Sequence, residues 1–306
     1  MIKLFPVTVS YKMKPGVSRS VLIHAISRLL LCAVFFVLSD VGAETDVTQA
    51  DTVSLPQAQS EDKEKGTIKP VEAGPGGGLK LESEKRAQAE SLYEWHAHVL
   101  WESRYVTEGR DNLSGEGLVS VSSDFNVGEV FSVIPWLADG IGTDYREFNL
   151  SFVGGTRLTD NFLLYAGYTW LYARAQDESA NDDEVSLGFV YEWTKNLSAA
   201  AVAYHSFYAS GTFIETTVRY GASISQTLDY SLQAILGAND GYVIDGHDGL
   251  NHFQLRANIE YEPVKNVQLY SLVGYTRAIN RDAYNYAEDE TLGNFVWAGI
   301  GFIYLF

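Results

Sequence analysis

A serine beside a histidine is the minimal start of a hydrolytic site, because the imidazole can take the hydroxyl proton only from within hydrogen-bond reach. The sequence contains one such neighbouring pair, His205 and Ser206 in "AVAYHSFYASG". Consecutive side chains of an extended strand leave opposite faces, so Ser206 goes with the apolar Val202 and Tyr204, and His205 with the other face. The two do not meet, and no catalytic residue is assigned. His96 and His98 share a face but have no serine near them in sequence. Glu260 and Glu262 form a carboxylate pair of the kind used in acid and base chemistry, although at a strand end such groups are usually solvated.

Metal chemistry has one opening. "DGYVIDGHDG" alternates carboxylates with glycine, and Asp240, Asp245 and Asp248 offer the oxygen ligands that Ca²⁺ prefers. The stretch lacks the full spacing of a known calcium loop. Apart from calcium in this outer loop, no cofactor is expected.

The elements that must carry these residues are strands. Nineteen Tyr, fifteen Phe, six Trp and 27 Gly stand against two Met and one Cys, a mixture suited to pleated, half-buried surfaces. "FQLRANIEYE" places Phe253, Leu255, Ala257, Ile259 and Tyr261 on one face and polar residues on the other, and "EVSLGFVYEW" repeats the pattern from Glu184 to Trp193. Alternation predicts twelve strands, near 95–107, 116–125, 128–137, 145–155, 162–174, 184–193, 197–208, 212–223, 228–238, 251–262, 266–278 and 294–306. Most match the ~9–11 residues that a tilted strand needs to cross a bilayer.

Connections sort by parity. Brief turns such as "TKN" and "EPVKN" follow even-numbered strands, while most odd-numbered strands lead to long ones such as "RDNLSGEG", "RAQDESANDDE" and "AINRDAYNYAEDETLG". An even number of long strands with alternating short turns and long loops predicts an all-β fold, a transmembrane antiparallel up-and-down barrel of the bacterial outer membrane. On that plan the face of Val202, Tyr204 and Ser206 meets lipid, and His205 points inward.

Before the barrel come two other segments. Basic residues precede the apolar run "LLLCAVFFVL", and "VGA" offers small residues before a cut at Ala43, so residues 1–43 read as a cleaved signal peptide starting at Met1 or Met13. About ten apolar residues are too few for a spanning anchor. Residues 44–92 are polar and broken by Pro and Gly, which reads as a flexible acidic periplasmic linker. Within it, Leu81, Lys85, Gln88 and Leu92 fall on one side of a short helical turn. Residues 93–306 form the barrel.

The stretches "SRYVTEGRDNL" (103–113), "DYREFNLSFVGG" (144–155) and "DGYVIDGHDGLNHFQL" (240–255) resemble those of uncharacterised bacterial outer-membrane barrels that carry a porin label, the TorF type among them. The likeness covers about residues 95–306 and implies a barrel and little else. Gly301, Tyr304 and Phe306 likewise resemble the carboxy-terminal signal that such barrels present to the assembly machinery, with Gly299 departing from the usual polar residue.

Without residues 1–43 the chain keeps 17 Lys and Arg against 38 Asp and Glu, a balance that repels nucleic acid and argues against it as a partner. The expected surroundings are outer-membrane lipid and lipopolysaccharide, with small solutes inside. Inward parity assigns Glu102, Arg104, Glu147, Glu215, Arg219 and Arg256 to a pore lining in which the mid-depth belt, Arg104, Arg219 and Arg256, is basic. Twelve strands enclose more than the eight that side chains can fill and less than a wide porin. A narrow channel for small polar or anionic solutes is the leading function. A structural barrel with a filled lumen is the alternative, suggested by Leu100, Trp297, Ile303 and Leu305 turning inward, and an outer-membrane lipid hydrolase ranks third.

Overall fold

The structure, a computed structural model, describes residues 68–73, 79–83, 93–127, 131–176 and 178–306. The segment predicted as a signal peptide and most of the segment predicted as a linker lie outside the described residues. The twelve long strands are β1 (Tyr93–Glu102), β2 (Leu118–Val127), β3 (Phe131–Gly140), β4 (Arg146–Thr159), β5 (Phe162–Ala175), β6 (Glu178–Thr194), β7 (Leu197–Ser206), β8 (Gly211–Ser223), β9 (Leu228–Asp240), β10 (Gly249–Val264), β11 (Val267–Ala278) and β12 (Phe295–Leu305). Each overlaps a segment predicted from alternation. Every strand pairs antiparallel with its chain neighbours, and β12 pairs with β1 to close the barrel.

Closure removes every free edge, so the pleat decides only what faces in and what faces out. Outward go Val121, Leu187, Val218, Leu255, Ile259, Val273 and Ile300, all exposed. Inward go Ser120, Asn149, Ser151, Thr169, Ser231, Gln254 and Thr276, all buried. This polarity is the inverse of a soluble barrel. At the seam, the Phe306 amide donates to the Trp95 carbonyl at 3.0 Å. The Phe306 ring stacks on Trp95 at 3.8 Å and meets Tyr304 edge-on at 4.8 Å, while Trp95 also stacks on Phe125. These rings form part of an outward aromatic girdle at the end where the termini of the barrel lie.

Three expectations are corrected. The acidic segment 174–184, read as a long loop, instead extends β5 and β6 as a paired hairpin, with Glu178 opposite Ala175 and Asp183 opposite Trp170. Polar residues on both faces hid the strand, since a hairpin standing clear of the bilayer has no apolar side to show. The faces of β7 are reversed: Val202, Tyr204 and Ser206 are buried inside and His205 lies on the outer face. The physical reason is that the lumen at this wall is packed with apolar groups. His205 and Ser206 still face opposite sides. Finally, Leu79–Ser83, where a helical turn was expected from Leu81, is a strand paired with Ile68–Ala73.

Candidate functional site

The loop after β1 folds inward. Residues 103–117 carry a small hairpin, Val106–Thr107 paired with Arg110–Asp111, turned by Glu108 and Gly109 at φ 46° and 74°. A Cβ on Gly109 would stand 2.3 Å from His252, so only glycine lets the tip press against β10. Asn251 Nδ2 donates to the Glu108 carbonyl at 3.1 Å. On the other side, the Tyr105 hydroxyl donates to Glu147 Oε2 at 2.5 Å. β4 and β10 are six strands apart in a ring of twelve, so the loop reaches two opposed walls and spans the mouth.

Asp289 holds this arrangement. Its carboxylate is fully buried and accepts from Arg110 at 3.1 Å, pairs with His247 Nδ1 at 2.6 Å and accepts from the Asp282 amide at 2.9 Å. Three loops, 103–117, 241–248 and 279–294, thus share one acceptor. The Asp111 amide adds a bond to the Thr291 carbonyl at 3.0 Å. Glu108 keeps some contact with solvent, but desolvation among the surrounding protein atoms, reinforced by Glu215 and Glu147 and opposed by Thr107 and Arg110, pushes its carboxyl up to about 8.

Beneath the cap, the walls differ. Along β5 to β8 the inner face is apolar, with Leu163, Tyr165, Val190, Val202, Tyr204 and Phe213 packed together. Tyr242 from the 241–248 loop lies against them and donates its hydroxyl to Glu184. Along β8 to β10 the face is polar and basic: Arg219, the neutral Gln233 and Arg256 are register partners on three successive strands.

The predicted pore-lining residues fall into separate roles. Arg104 lies beyond the end of β1, not in its middle, because the strand stops at Glu102. It is ion-paired with Asp111 and lies 5.5 Å from the Phe295 ring. Glu147 is sealed by Tyr105, Tyr145 and Asn149. Glu215 stands 3.7 Å from His252 Nε2 and is about a quarter exposed, at 26%. Arg256 donates to Gln254 Oε1 at 2.9 Å and interacts electrostatically with Glu215 and, across the strands between, with Glu102. The structure therefore places Glu102 and Glu215 around Arg256, whereas Arg104 and Glu147 hold the 103–117 loop through Asp111 and Tyr105.

The remaining expectations divide likewise. Tyr304 and Phe306 face outward, whereas Gly301 faces the lumen, where a Cβ would meet the Val99 carbonyl and the Tyr270 ring at 2.5 Å. Asp248 turns back to accept from the Gly241 amide at 2.8 Å, and among the described residues Asp240, Asp245 and Asp248 do not gather as ligands. His96, His98 and Asp124 do, with ligand atoms all within 4.8 Å. Alternation put each of the three indoors, but only the pairing of β1 with β2 sets His96 opposite Asp124.

A closed antiparallel barrel with an apolar outer belt, an aromatic girdle and a lumen bearing ionised side chains is a transmembrane barrel of the bacterial outer-membrane type. No protein-family model matches the chain, and no curated protein does. Among solved structures it is similar to the KdgM porin, with a TM-score of 0.49 at 13% identity over 69% of this chain and 99% of that one. It is similar to the NanC porin at 0.48 and 11%, over 68% and 98%. A third is the KdgM porin in complex with disordered oligogalacturonate, at 0.46 and 12%, over 70% and 99%. At these scores the likeness says nothing about a solute.

Proposed function

We propose that the protein is a narrow outer-membrane channel for small polar solutes, anions above all, with a mouth restricted by the 103–117 loop. The observation that carries this is the row Arg219, Gln233 and Arg256, three inward side chains on neighbouring strands. Charges in a low-dielectric tube must be paired or wet, and Arg256 has water-accessible Glu215 beside it. Arg104, tied to Asp111, anchors the loop and leaves the selectivity to the other two arginines. The resemblance of residues 95–306 to TorF-type barrels extends to the barrel and adds nothing about the solute. In this reading residues 1–43 direct export and 44–92 form a periplasmic linker. Lipopolysaccharide surrounds the outer leaflet, and Tyr304 and Phe306 engage the assembly machinery.

A second reading, a barrel that does not conduct, is favoured by the apolar cluster around Tyr204 and Phe213. Single-channel recording on the full chain separates the two. A channel shows discrete conductance, and Arg219→Gln with Arg256→Gln shifts its reversal potential in a salt gradient toward cations. Silence of both the full chain and a variant lacking residues 105–113 decides for the filled barrel.

A further inference from the structure

The lumen end opposite the cap holds a group of side chains that neither the channel nor the loop anchoring uses. His96 and His98 project inward from β1 and Asp124 from β2, and all three residues are more than nine-tenths buried. His98 Nε2 stands 3.0 Å from Asp124 Oδ2, and His96 is the direct register partner of Asp124. On the other flank, the partners of His96 and His98 on β12 are Leu305 and Ile303, both buried. Two imidazoles and a carboxylate thus face each other against an apolar wall.

We propose that His96, His98 and Asp124 form a binding site for a divalent transition ion of the zinc type. The donor set is two borderline nitrogens and one hard oxygen, which suits Zn²⁺ and its neighbours, whereas Ca²⁺ takes six to eight oxygens. The spacing fits as well. A tetrahedral ion with bonds of about 2.0–2.2 Å holds its ligand atoms about 3.3–3.6 Å apart. His98 and Asp124 are already near that separation, and within the 4.8 Å limit of the group a small ring movement brings in His96. The strand pleat supplies the preorganisation, since residues two apart on β1 must share the inner face that Asp124 shares across the ladder. Glu94, 3.9 Å from His96 Nε2, offers a further oxygen on the lumen side. The ion ties β1 to β2 beside the seam where the barrel closes. The competing occupant is a proton shared between His98 and Asp124.

The test uses the tag-free full chain folded in detergent and stripped with chelator. Calorimetric titration with Zn²⁺ should show one ion per chain and a rise in melting temperature. Asp124→Asn and His98→Gln should each weaken binding by about tenfold or more, and His205→Gln, on the outer face, should leave it unchanged. If the variants fold poorly, pulsed electron paramagnetic resonance of the wild-type chain with one equivalent of Cu²⁺ decides, and two coupled imidazoles are expected. No heat and no thermal shift with Zn²⁺ overturns the proposal, as does undiminished affinity in a folded Asp124→Asn, His98→Gln double variant. A Cu²⁺ spectrum with fewer than two imidazoles overturns it too.

Discussion

The guanidinium of Arg256 lies 5.1 Å from the ring of Trp297, although their strands are not neighbours. The indole reaches from β12 across β11 to β10, and it can do so because the position between them is Gly274, where a Cβ would stand 2.4 Å from the ring. A cation over an aromatic face contributes about 0.5–2 kcal/mol, more when desolvated. Sequence order, glycine and register together place the charge.

Gly274→Val should therefore expel the indole. Overpacking of this kind costs about 1–3 kcal/mol, read as a lower midpoint in denaturant unfolding of the folded barrel. If the channel conducts, Arg256 then loses its fixed position and ion selectivity weakens in the same variant. Wild-type stability would mean that Trp297 does not cross Gly274.

Asp289→Ala should release the cap. Arg110 and His247 would lose a shared buried acceptor, and breaking a buried pair by removing one partner costs about 3–5 kcal/mol. Hydrogen exchange should rise in 103–117 and 241–248 together, with the strands protected as before. Exchange confined to one loop would show that Asp289 does not join them.

The pH dependence follows from Glu108. A carboxyl raised from 4.5 to about 8 in the folded chain holds its proton more tightly there than in the undocked loop. Docking is thus fully favoured below about pH 4.5 and loses stability as the pH climbs toward 8. The protection of amides 105–113, measured relative to their intrinsic exchange rates, should fall across that window, and Glu108→Gln should flatten the profile. A wild-type loop equally protected at pH 5 and pH 9 contradicts this.

Replacing Tyr304 and Phe306 by Asp should reduce the amount of folded barrel in the outer membrane. Both rings sit on the outer face beside Trp95, where a carboxylate at the membrane boundary is unfavourable. Fractionation and heat-modifiable migration read the outcome, and normal levels would remove any role for these two residues in assembly.

The strands were legible because period two persists over membrane length, as "FQLRANIEYE" shows with every outer residue placed correctly. Polarity failed where the inner wall is apolar: Val202 and Tyr204 look like lipid-facing residues, but Leu163, Tyr165 and Phe213 meet them inside. Parity alone also carried Arg104 past the end of β1, and no local signal bends 103–117 inward. The partner that holds that loop, Asp289, is 179 residues from Arg110. The three stretches that carried the family resemblance nonetheless converge there, through Tyr105, Glu147 and Asn251. The residues were visible and their meeting place was not.

A hoop of strands is stiff against stretching but soft against flattening into an oval, because its ladder bonds can hinge a little at every junction. The strut from Glu147 through Tyr105 and Glu108 to Asn251 joins the rim at opposed points. It sets the length of one diameter at the capped end. Lateral pressure from the bilayer can then narrow the rim chiefly along the perpendicular axis, toward β1 and β7, so the ring's remaining compliance has a direction.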